Sequence, residues 1–134
     1  MKRFWAAAAW LSMCTALPAL ACPLLESSSQ RVLQKGAVQV VWKPDPTAIP
    51  VGKHFALDVQ ICPAEAVLTR VDATMPEHQH GMNYRPSFKR LGNATDGRWR
   101  AEGLLFHMPG RWDLRFDVQL AEGIEKITDT VILP

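Results

Sequence analysis

The chain has 134 residues, of which 15 are Lys or Arg and 13 are Asp or Glu, long enough for one small domain with a single core. Its formal surplus of two positive charges lies in Lys2 and Arg3, ahead of every other charged residue. The balanced remainder excludes the net basic surface with which a nucleic-acid binder displaces counterions from phosphates.

Met1-Lys2-Arg3 is followed by an apolar run, Phe4 to Leu20, broken only by Ser12, Thr15 and Pro18 and ending in Ala19-Leu20-Ala21. A basic start, an apolar stretch and a small-x-small site predict a secretory signal peptide over residues 1–21. The run is also long enough for an uncleaved membrane anchor; either way the chain is expected to be exported. Cleavage removes Cys14 and leaves Cys22 and Cys62 in an oxidising compartment. Their even number predicts one disulfide, Cys22 to Cys62, contributing roughly 2–4 kcal/mol by restricting the unfolded chain. Two readings compete with it: a lipid on Cys22, although Ala19 stands where a lipobox usually has Leu, and Cys62 as a metal thiolate.

Residues 22–36 include the polar tract Glu26 to Gln30 and read as an N-terminal arm or short irregular helix; residues 37–134 read as the folded domain. Val38, Val40 and Trp42 alternate with Gln39 and Lys43, a strand period that Lys43-Pro44-Asp45-Pro46 ends. After the turn-bearing Ile49 to Lys53, a second strand alternates Phe55, Leu57, Val59 and Ile61 with Ala56, Asp58 and Gln60, up to Pro63. A third runs from Val67 to Ala73, with Val67, Thr69, Val71 and Ala73 expected on one face, and leads into Met75-Pro76. Ser87 to Leu91 reads as a short edge strand and Arg98 to Leu105 as its neighbour, joined by the loop Gly92 to Gly97. Trp112, Leu114, Phe116 and Val118 give the clearest alternation, and Ala121-Glu122-Gly123 turns into a last strand through Leu133. About seven short strands without an amphipathic helix predict an all-β fold, a small antiparallel immunoglobulin-like β-sandwich.

Met75-Pro76-Glu77-His78-Gln79-His80-Gly81-Met82 and His107-Met108-Pro109-Gly110 hold three of the four histidines and every methionine beyond the leader. Thioethers with neutral imidazoles are the ligand set that suits copper, Cu(I) above all, whereas zinc or magnesium sites recruit Cys or carboxylates. An extended Glu77 to Gly81 would point His78 and His80 to one side, and Gly81 would let the chain turn to bring Met82 round. A loop before another strand at the same end would add His107 and Met108. The candidate metal residues are therefore His78, His80, Met82 and His107, with Met108 and Met75 less favoured because Met beside an apolar strand usually packs in the core. The bland alternative is an exposed loop with incidental histidines.

His54 reads as a surface residue, Tyr84 as a residue that could cover the metal, and Trp42, Trp99 and Trp112 as core or rim. Arg85, Lys89, Arg90, Arg98 and Arg100 form a locally basic region, suited to an acidic partner or simply a solvated face. No G-x-S-x-G, no H-E-x-x-H and no nucleophile beside a convincing base is present, so no enzyme activity is expected.

Ile49 to Val59, Asp72 to Met82, Gly97-Arg98-Trp99 and Phe106 to Leu114 together resemble the YtkA-like group of exported domains, relatives of FixH-type proteins, over most of Val38 to Val118. The resemblance implies a small periplasmic β-sandwich tied to copper handling or to oxidase assembly, with Met-Pro followed by His and Met as its recurrent feature. Two functions follow as expectations. One is a carrier or buffer of Cu(I) serving a membrane oxidase or an efflux protein; the other is a metal-free interaction module that assists assembly of a membrane complex.

Overall fold

Nine strands, all antiparallel to their neighbours, form the fold in a computed structural model that describes residues 28–134. The leader and Cys22 lie outside the described residues. The strands are β1 (Arg31–Lys35), β2 (Val38–Asp45), β3 (His54–Cys62), β4 (Val67–Met75), β5 (His80–Gly81), β6 (Ser87–Leu91), β7 (Arg98–Leu105), β8 (Gly110–Leu120) and β9 (Gly123–Leu133). One sheet has the order β1-β2-β3-β7-β6 and the other β5-β4-β8-β9. With the short β1 and β5 set aside, the first, second, fifth and fourth of the remaining seven strands form one sheet and the third, sixth and seventh the other. That is the constant-type immunoglobulin order, so the expected immunoglobulin-like sandwich is the observed one.

The core between the sheets follows the alternation. Phe55, Leu57, Val59 and Ile61 of β3 and Trp112, Leu114, Phe116 and Val118 of β8 are all buried, the two inner faces of a sandwich meeting side chain to side chain. Two irregularities shift this period. At Gly103, with φ 85°, β7 slips against β3, and the inward set changes from Trp99 and Ala101 to Leu104 and Phe106. Between Leu68 and Arg70 the pairing of β4 with β8 slips in the same way. Leu68 is therefore inside while Val67 and Thr69 are exposed, and Val71, Ala73 and Met75 are buried beyond the bulge. The expectation that Val67 and Thr69 share the face of Val71 is corrected by that extra residue, since a bulge reverses the phase of every position after it.

A second correction concerns the arm. Residues 31–35 are a strand, hairpinned to β2 through Gly36 at φ 56°. Arg31 and the Trp42 indole nitrogen both donate to Asp129 of β9, at 2.7 and 3.0 Å, and Lys35 donates to the Lys126 carbonyl and pairs with Glu125. This polar latch closes one long side of the sandwich. Cys62, at the end of β3, is 8% exposed and is not a free thiol. Among the described residues no helix is long and apolar enough to cross a membrane.

Candidate metal site

The two His/Met segments meet at one end of the sandwich because β4 ends there and β8 begins there. The route between them differs from the extended loop expected. Pro76–His78 forms one 3₁₀ turn, and the chain reverses at Gln79, whose φ of 54° and ψ of 35° place it in the left-handed region. The turn residue is thus Gln79, not Gly81. Gly81 serves another purpose: it lies in β5, where a Cβ would come within 3.2 Å of the Ala73 carbonyl oxygen.

Pairing of β5 with β4 then decides which way the ligand candidates face. Residues directly opposite in an antiparallel pair share a face. His80 lies opposite Met75, a core residue, and the Met82 amide donates to Ala73, another core residue. His80 and Met82 consequently turn toward the rim of the core, where both are half-buried. His78, on the 3₁₀ turn, is exposed, as is His107 between β7 and β8.

Three imidazole rings form a row at this rim, with His80 in the middle. Its ring centre is 5.7 Å from that of His78 and 4.9 Å from that of His107. With metal–nitrogen bonds of about 2 Å, two imidazoles sharing one ion have ring centres roughly 5–6 Å apart. Trp112 lies beneath the row, its ring 5.3 Å from His107 and 6.1 Å from His80 and stacked on Phe106 at 4.6 Å. The Trp112 indole also donates to the Met108 carbonyl at 3.0 Å, tying the His107 segment to β8.

One atom tests whether these residues suit a metal. His80 Nδ1 is buried and has no hydrogen-bond partner within the protein. A buried nitrogen without a partner costs about 1–3 kcal/mol, and a neutral imidazole nitrogen is a metal ligand. Among the described residues no three His, Cys, Asp or Glu side chains converge as a ready-made site; the methionines next in the chain to these histidines, Met82 and Met108, are half-buried against the core. Imidazole with thioether fits Cu(I). Met75 is different: it is wholly buried, its methyl carbon 3.0 Å from where a Cβ on Gly110 would stand, and it packs as a core side chain.

His54, read from the sequence as isolated, is at the same end of the fold. It pairs with Leu105, two residues before His107, and its ring meets Tyr84 edge-on at 4.9 Å. Only the pairing of β3 with β7 brings it there, so neighbours along the chain carried no signal. Two of the five residues of the basic region are consumed by structure. Arg100 bonds Asp58 and Asp45, which raise its guanidinium pKa above the usual range, and Arg90 donates to the carbonyls of Ala64, Ala66 and Ala94. Compared with family models, curated proteins and solved structures, the chain matches none.

Proposed function

We propose that the protein is an exported carrier or buffer of Cu(I), held by His80 and His107 with His78, Met82 and Met108 completing the donor set. The observation that carries this reading is the row of three imidazoles whose middle ring has a buried, unpartnered Nδ1. Copper here is cargo. The rim is open enough at His78 and His107 for an ion to enter and leave, while Trp112 and Phe106 fix the rear of the site. Export, the Cys22 to Cys62 disulfide and a membrane oxidase or efflux protein as recipient belong to the same proposal and rest on the leader, the cysteine count and the resemblance to YtkA-like domains.

Titration of the protein with Cu(I) and separately with Zn(II), read by Trp fluorescence and by competition with a chromophoric chelator, tests the proposal. One equivalent of Cu(I) is expected to bind tightly and to quench Trp112, and Zn(II) to bind far more weakly, because thioethers add affinity for the soft ion and little for the borderline one. Equal affinity for the two ions, or none for either, would leave the interaction module as the better reading.

A further inference from the structure

The two long sides of the sandwich are finished differently. The side along β1 and β9 is closed by the Asp129 latch, whereas the side along β4 and β6 is open. β5 pairs only with Thr74 and Met75, so β4 from Val67 to Asp72 has a ladder to β8 and none on its other edge. A groove of about 500 Å³ runs along that edge. Thr69, Arg70, Val71 and Asp72 all line it. Successive side chains point to opposite faces of a sheet, so four consecutive residues can line one groove only where it follows the backbone edge itself.

Ala73 gives the direction of the backbone groups. Its carbonyl accepts from Met82 on this side, and its amide is taken up by the neighbouring Asp72 carboxylate at 2.9 Å. By the two-residue period, the amide and carbonyl of Val71 point the same way, into the groove. Met82 and Phe88, both packed against the core, supply apolar surface there, and Arg85 is exposed at its border.

We propose that this edge docks an extended segment of a partner protein in which apolar and acidic residues alternate. A strand added beside Val71 continues the second sheet, with backbone hydrogen bonds giving affinity and alternate side chains giving specificity. One set of side chains enters the slot beside Met82 and Phe88. The other set lies outside, against Arg85. Charge selects the acidic partner: Asp72 is the single acid in the lining and is already paired with Arg70, while Arg85, and Lys89 on the adjacent strand, have no carboxylate partner among the described residues. The proposal stands apart from the copper reading, although a docked segment would touch Met82.

The test uses a fluorescein-labelled peptide, Glu-Val-Glu-Val-Glu-Val-Glu, in chelator-treated buffer, with binding read by anisotropy and its place by amide shifts in NMR spectra. The peptide is expected to bind, to shift amides in residues 69–73 and 82–88, and to weaken at higher salt. Arg85→Glu, an exposed change that leaves the core alone, is expected to weaken binding at least tenfold. Methylating every second peptide nitrogen, in one of the two alternate frames, is expected to abolish it. Absence of binding, equal binding of the Lys-Val counterpart, binding unaffected in either methylated frame, or unchanged binding by Arg85→Glu would each overturn the proposal.

Discussion

His80 and Met75 face each other across two strands and do opposite things. His80→Ala removes the middle ring of the row and is expected to lower Cu(I) affinity more than His78→Ala does, as chelator competition would show. The metal-free protein should lose little stability, since the change also deletes a buried nitrogen that has no partner. Met75→Ala should do the reverse. Met75 is 0% exposed, and truncating a fully buried Met costs about 2–5 kcal/mol, to be read from denaturant unfolding. That the His and Met residues fall in two segments was legible along the chain, because residue type is written there, and the structure brings the rings of His78, His80 and His107 together at one rim. The turn was not legible. Gly81 is the residue that local rules favour for a reversal, yet Gln79 takes the left-handed conformation, while the glycine lies in β5 close against the Ala73 carbonyl. Gln79→Gly is therefore expected to leave melting unchanged or to raise it slightly, since Gly adopts that conformation without strain; a marked fall would show that the Gln79 side chain itself holds the turn.

At the scale of elements, β3 and β8 were readable because their inward positions alternate without interruption. β4 was readable as a strand and in phase from Val71 to Met75, but not at Val67 to Thr69, since nothing in Leu68-Thr69-Arg70 announces the bulge that puts Leu68 inside ahead of it. β1 was missed because its five residues are exposed or half-exposed and present no apolar face; what makes it a strand is its hairpin to β2 and the latch on Asp129. That origin has a consequence. Asp129 is 8% exposed and accepts from both Arg31 and the Trp42 indole. Asp129→Ala should cost about 1–3 kcal/mol through the buried indole left unpaired. It should also speed amide hydrogen exchange in residues 31–35 before exchange changes in β3 or β8. Uniform acceleration across all strands would instead mean that β1 unfolds only with the whole domain.

For the molecule as a whole, the sandwich is the device that brings the two distant His/Met segments together. β4 and β8 are neighbours in one sheet, so the end of the first and the start of the second share a rim, and Phe106 and Trp112 form the floor they stand on. The fold depends on that shared core: Phe116, fully buried and 6.3 Å from the Trp42 ring, should cost about 3–5 kcal/mol when replaced by Ala. Binding should also weaken on acidification, because a protonated imidazole cannot ligate and metal binding releases protons; a site built of thioethers alone would show no such loss.

The central claim is that one Cu(I) is held between β5 and the β7–β8 connection, and it is tested most directly by chelator competition on the double variant His80→Ala, His107→Ala beside the parent protein. The account predicts that the double variant folds and melts like the parent without metal, and loses tight Cu(I) binding and the quenching of Trp112. Binding of Cu(I) by the double variant with the affinity of the parent would contradict it.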